Sequence, residues 1–178
     1  LNGEYGGMYN VTERMDDAFF ESYYGYEFWD VVSDEEVKDG DSEAWDELRS
    51  LAHSDLTNPL NYEALQELVD LKQITSYYIL NIWAQNHDWP HHNWYAARPR
   101  VPGGKWQFYV WDIEDSFASG ASRGSYTRNT FSHTRNDSGT IAQLFESLTR
   151  NADYKEYFIQ EYERYLSTVL NEEHLIPR

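Results

Sequence analysis

The segment from Tyr77 to Phe117 limits what this chain can become more than any other, because an apolar run ends there in a cluster of acid, amide and imidazole side chains. Ile74, Tyr77, Tyr78, Leu80 and Ile82 leave little polar circumference on a helix that opens at Asp70 and runs to about Ala84. Such a helix belongs at the centre of a molecule. The run stops in Asn86-His87-Asp88-Trp89-Pro90, which puts Asp88 on a loop just past the helix. Asn93 then opens Trp94-Tyr95-Ala96-Ala97-Arg98, a turn rich in Pro and Gly follows, and Trp106 to Trp111 alternates as a strand. Asp112 stands at the exit of that strand. A helix, a loop and a hairpin in this order bring three metal-capable oxygen side chains together: Asp88, Asn93 and Asp112.

The flanking chain reads as strands early and helices late. Glu4 to Glu13 has the glycines of a hairpin or of paired strands. Asp16 to Tyr24 predicts a short helix capped by Asp16 and closed by Gly25. Tyr26 to Val32 alternates as a strand, Ser33 to Ser42 reads as an acidic solvated loop, and Ser42, Trp45, Leu48, Leu51 and Ala52 mark an amphipathic helix with Ser42 as its cap. Asn58-Pro59 breaks the chain before a short helix through Tyr62, Leu65 and Leu68. Ser116 to Ser138 reads as one long loop, and helical stripes resume at Ile141 and at Tyr154. One hairpin embedded among helices argues for an α+β fold rather than alternating α/β.

The length of 178 residues is that of one domain. A formal net charge of -17 argues against a sequence-independent nucleic-acid binder, which needs clustered Lys and Arg, and favours divalent cations or basic partners. With no Cys there is neither a disulfide framework nor a thiolate metal site. No apolar run is long enough to span a membrane, and no signal peptide is visible. The start at Leu1-Asn2-Gly3, without an initiator Met, reads as a piece cut from a larger polypeptide.

Asp88 and Asn93, five positions apart and preceded by His87, follow the D-x-x-x-x-N spacing of the kinase catalytic loop H-R-D-x-x-x-x-N, although His87 directly adjoins the Asp, and Asp112 after a strand supplies the second half. In that arrangement one carboxylate accepts the proton of the attacking hydroxyl while an amide and a second carboxylate hold Mg²⁺ on the phosphates. An Asp and an Asn on a loop also serve simply to cap helices and make turns. Two other chemistries stay open. His87, His91 and His92 suggest zinc, although Pro90 interrupts any helix that would align them. Asp112, Glu114 and Asp115 in an aromatic setting suit sugar hydrolysis by paired carboxylates.

At these residues the chain resembles the CotH family, spore-coat-protein-H-like kinases with an atypical protein-kinase fold. The resemblance lies in Asn2 to Glu13, Trp29-Asp30-Val31-Val32, Asp88-Trp89-Pro90-His91-His92-Asn93-Trp94-Tyr95 and Trp106 to Glu114, and it covers the chain from Leu1 to about Leu170. It implies a single CotH kinase-like domain over 1–178, cut short on its N-terminal side: mainly the helical C-lobe with a hairpin at the active site, plus part of the β-containing N-lobe. It also implies ATP- and Mg²⁺-dependent phosphorylation of Ser or Thr on a secreted or surface protein. Asp88 would be the catalytic aspartate, Asn93 an auxiliary metal or positioning group, Asp112 the metal-binding aspartate, and Glu13 an acidic position of the nucleotide cleft. Arg98 is a candidate phosphate contact and Glu114 a candidate metal ligand. Two departures stand out: Glu114 where many members carry Asp, and Ala118 where Gly is common. Only Lys38, Lys72, Lys105 and Lys155 exist, and none lies in a phosphate-facing strand position. The implied location is extracellular or at the cell surface, beside neighbouring extracellular modules. The alternative is a noncatalytic extracellular binding or scaffold module, associated with carbohydrate.

Overall fold

The computed structural model describes residues 12–113, 116–117 and 129–175. Four strands, β1 (Trp29–Ser33), β2 (Glu36–Asp39), β3 (Trp94–Pro99) and β4 (Gln107–Val110), form an antiparallel sheet of order β2-β1-β3-β4. Among the described residues the helices are α1 (Asp17–Tyr24), α2 (Glu43–Ala52), α3 (Pro59–Leu68), α4 (Leu71–Ala84), α5 (Thr130–Arg135), α6 (Thr140–Arg150), α7 (Ala152–Ser167) and α8 (Glu172–Leu175). This is the mixed α+β fold that the order of patterns predicts. The expected hairpin at Glu4 to Glu13 lies outside the described residues except for Thr12 and Glu13. No helix among the described residues is long and apolar enough to cross a membrane.

The expected central helix is α4. Asp70 caps it by accepting from the Lys72 and Gln73 amides at 3.0 and 3.1 Å, and Ile74, Tyr78 and Ile79 are fully enclosed. It packs against β4, α5 and α7, and Tyr78 meets Phe145 of α6 at 4.6 Å; in the same core Trp45 stacks on Trp94 at 5.6 Å and meets Trp106 edge-on at 5.2 Å. Each such large side chain taken out of water contributes about 2 kcal/mol before chain entropy is counted. The opposite face of the sheet carries a second, smaller cluster in which Phe20 of α1 packs on Trp29, Val31 and Ala97. Both faces being covered, β1 is buried at all five positions, and the alternation expected for it is absent. The strand also starts at Trp29, not at Tyr26.

Ser33 to Ser42 is not a solvated loop. It holds a β-hairpin whose two-residue turn, Asp34-Glu35, has left-handed backbone at both positions (φ 51° and 66°). Asn-Gly is the usual signal for that turn, and Glu gives none. The turn is secured from a distance, because the Glu35 carboxylate accepts from the Thr140 amide and hydroxyl at 2.7 and 2.8 Å. It thereby caps α6, whose own cap residue is Gly139 and offers no side chain. The cap of α2 is likewise displaced: Ser42 makes no side-chain cap bond, and Asp41 accepts from the Glu43 amide at 3.0 Å. The stretch read as one long loop contains α5, started by Asn129 and held by Phe131 against Phe145 at 5.3 Å. Its sequence TFSHTR has too few apolar residues to show a period.

Gly40 closes the hairpin at φ 78°, where an added Cβ would lie 2.3 Å from the Asp30 carboxylate and 2.7 Å from the Trp29 carbonyl. Gly103 has a similar φ of 75° with nothing within 4 Å. Gly103→Ala should therefore cost only the left-handed penalty of about 1 kcal/mol. Gly40→Ala should add the clash, for a loss of about 3 kcal/mol read from urea midpoints.

Candidate functional site

The loop after α4 is held by side chains of that helix. Gln85 closes α4 in the left-handed region (φ 55°), and the Asn86 amide then donates to the Asn81 carbonyl at 3.1 Å. Asn86 Nδ2 donates to Asn81 Oδ1 at 2.9 Å, and Asn81 Nδ2 donates to the Tyr77 carbonyl at 3.0 Å. The Trp89 indole donates to the Tyr77 hydroxyl at 2.6 Å. Burial pushes that hydroxyl far above its ordinary pKa, so it stays protonated. Asn81, Asn86 and Trp89 are all fully buried. The half-buried Asp88 sits between the two anchored positions, and its carbonyl accepts from the His92 amide at 3.0 Å, which folds the loop back toward Asn93. Among the described residues the Asp88 carboxylate has no hydrogen-bond or ion-pair partner.

Asn93 and Asp112 come together at the mouth of the β3–β4 hairpin. Trp94 pairs with Val110 as the last pair of the ladder, and Asn93 and Asp112 lie one and two residues beyond it on the two strands. Asn93 Nδ2 donates to the Asp112 carbonyl at 3.2 Å. This bond occupies the amide nitrogen and leaves Asn93 Oδ1 as an oxygen donor. Asn93 and Asp112 both have left-handed backbone, at φ 63° and 52°, as does Phe117 at 53°. Non-glycine residues in that region cluster where side chains must be aimed. The Phe117 amide donates to the Ala84 carbonyl at 3.0 Å and its ring meets Trp83 edge-on at 5.0 Å, which ties the segment after Asp112 to the end of α4. Among the described residues no group of three or more His, Asp or Glu is placed to hold a metal ion, and Glu114 lies outside them. The exposed His91 instead faces Asp137 at 3.7 Å.

Glu13 and Arg98 have protein partners of their own. Glu13 is exposed and accepts from the Tyr23 hydroxyl at 3.1 Å, a bond that raises the Tyr23 pKa. Arg98 donates to Asp30 Oδ2 at 3.0 Å and, through Nε, to the Gly104 carbonyl at 3.1 Å. Asp30 is 1% exposed; its other oxygen accepts from the Asp41 amide at 3.1 Å and faces Arg100 Nε at 3.4 Å. Asp30, Asp41, Arg98 and Arg100 line a polar cleft of about 250 Å³. Sequence reasoning left Asp30 without a role, although a carboxylate inside the apolar run Trp29-Asp30-Val31-Val32 signals a buried partner. Arg98→Ala should leave Oδ2 of that buried carboxylate without its cation, with only Arg100 and the Asp41 amide remaining on Oδ1, and lower stability by about 3 kcal/mol. A phosphate contact would instead show as a raised KM for nucleotide at unchanged urea midpoint.

The whole chain, residues 1–178, matches the family model described as CotH kinase protein. No curated protein and no solved structure matches it. The loop bearing Asp88 and the hairpin bearing Asn93 and Asp112 lie within the matched span, and the chain belongs to the CotH kinase family.

Proposed function

We propose that the site at the mouth of the β3–β4 hairpin transfers phosphate from ATP to a Ser or Thr hydroxyl of a secreted or surface protein, with Mg²⁺ as cofactor. The observation that carries this reading is the 3.2 Å bond from Asn93 to the Asp112 main chain, at the end of the loop that presents Asp88. The order of central helix, acidic loop, hairpin and second acid fits the C-lobe of an atypical protein kinase. Family membership supports the reaction class.

Asp88 is the acceptor of the hydroxyl proton. As the hydroxyl oxygen bonds to the γ-phosphorus and the bond to the bridging oxygen of the leaving ADP breaks, the Asp88 carboxylate takes up the released proton. Its half-buried position leaves it reachable by a substrate, and its freedom from protein partners among the described residues leaves both oxygens to accept. The donor set at the hairpin suits a hard cation: the exposed Asp112 carboxylate and the Asn93 Oδ1 are oxygen ligands, and Mg²⁺ takes few protein oxygens when it also binds phosphates. Mg²⁺ would supply charge neutralisation on the phosphates. Glu114 is a further candidate ligand and Glu13 an acidic group of the nucleotide cleft, while Arg98 serves to neutralise Asp30.

A second reading, a noncatalytic module associated with carbohydrate, is favoured by the exposed rings at the end of α1 and beyond it, where Tyr23 and Phe28 are 63% and 62% exposed. Aromatic faces in water are suited to stacking against apolar ligand surfaces. Radiolabel transfer to a mixed Ser/Thr peptide substrate and calorimetry with Mg·ATP separate the two. Asp88→Asn should lower transfer by about 10³-fold at unchanged nucleotide affinity. Asp112→Asn should weaken Mg²⁺-dependent nucleotide binding by about tenfold or more. Equal transfer by wild type and Asp88→Asn would sink the phosphotransfer reading, and binding heat with polysaccharide but none with nucleotide would establish the module.

A further inference from the structure

We infer that Tyr77 and Asn86 are positioning residues that aim Asp88, holding its loop to the central helix by two hydrogen-bonded lines that start one helical turn apart. The inference rests on the phosphotransfer reading of Asp88, and its first observation is a lack. Among the described residues the Asp88 side chain has no partner of its own. The backbone on either side of it is anchored. Two residues before it, Asn86 is fully buried and bonded to Asn81 through both main chain and side chain, at 3.1 and 2.9 Å. One residue after it, Trp89 is fully buried and bonded to the Tyr77 hydroxyl at 2.6 Å. Asn81 in turn donates to the Tyr77 carbonyl at 3.0 Å, so both lines converge on a single turn of α4.

Directional bonds fix register in a way that apolar contact alone does not, since greasy surfaces slide past one another at little cost. The arrangement is not optimised for stability. Asn86 Oδ1 is buried without a partner among the described residues, a feature that destabilises a fold and therefore asks for a reason. A purely structural loop would do better with an apolar side chain there. Orientation of the neighbouring carboxylate supplies the reason, because proton acceptance depends on placing an oxygen within hydrogen-bond reach of the substrate hydroxyl.

Tyr77→Phe deletes this bond while keeping the ring, and Trp89→Phe deletes it from the other side while also shrinking a fully buried indole to a phenyl ring. Each should lower kcat tenfold or more with KM for ATP within twofold, and the double variant should be no worse than Trp89→Phe alone. Thr75→Val is the control: it removes another buried hydroxyl of α4, one that meets the Tyr154 hydroxyl at 3.0 Å, and should lower the melting temperature while leaving kcat unchanged. Amide hydrogen exchange gives a readout that needs no turnover. Residues 86–93 should exchange at least tenfold faster in Tyr77→Phe and in Asn86→Ser, with α6 and α7 unaffected. Unchanged exchange in the loop would overturn the inference, as would a fall in kcat for Thr75→Val equal to that for Tyr77→Phe. If the wild type transfers no phosphate, the phosphotransfer reading fails by itself, and the exchange result still decides whether these side chains hold the loop.

Discussion

Enclosure of α4 on nearly every side is the constraint from which the rest of the molecule follows. Its first turns lie against the strand edge, where the Gln73 amide both donates to and accepts from Phe108, taking the place of a missing neighbouring strand. Its middle is surrounded by the aromatic core, with Tyr78 reaching the Ile141 carbonyl at 2.9 Å and Thr75 meeting Tyr154. Its last two turns carry the polar side chains, Tyr77 and Asn81, that hold the loop. A helix with so little solvated surface cannot rotate or slide without breaking contacts on several sides at once, and close-packed interiors resist such movement. The loop thus inherits its position from the most rigid part of the fold.

The sheet adds a second point of rigidity at the far end of the hairpin. Asp30 lies on β1 opposite Arg98 on β3, and Arg100 reaches it from beyond the strand while also pairing with Asp41. A carboxylate this deep is tolerable only with such company. The charged cluster pins the closed end of the β3–β4 hairpin to β1, and the open end carries Asn93 and Asp112. The hairpin is therefore held at one end by ion pairs and at the other by the tie between Phe117 and Ala84.

Much of this was legible in the sequence where signals are local. The Asp70 cap, the apolar run to Ala84, the Asp16 cap with Gly25, and the alternation from Trp106 onward each carry their meaning within a few residues, and the elements formed there. The juxtaposition of Asn93 and Asp112 was legible too, because a hairpin brings its two ends together whatever its turn. What failed was non-local. Asp34-Glu35 is a turn because Glu35 reaches Thr140, distant in sequence, and α5 exists because Phe131 finds Phe145. Arg98 reads as a spare cation until β1 is known to lie beside β3 with Asp30 facing it.

The left-handed backbone at Asn93 and Asp112 narrows the side chains that those two positions can accept. Among residues with a Cβ, Asn and Asp adopt that conformation with least penalty, since their short polar side chains bond to nearby main chain. They are also oxygen donors suited to a hard cation. Glycine would satisfy the backbone and forfeit the oxygens; Glu or Gln would keep an oxygen and strain the backbone; Val, Ile and Thr would meet the greatest steric resistance. Conformation and coordination chemistry select the same two amino acids, so the alphabet open to drift at the hairpin mouth is nearly a pair of letters.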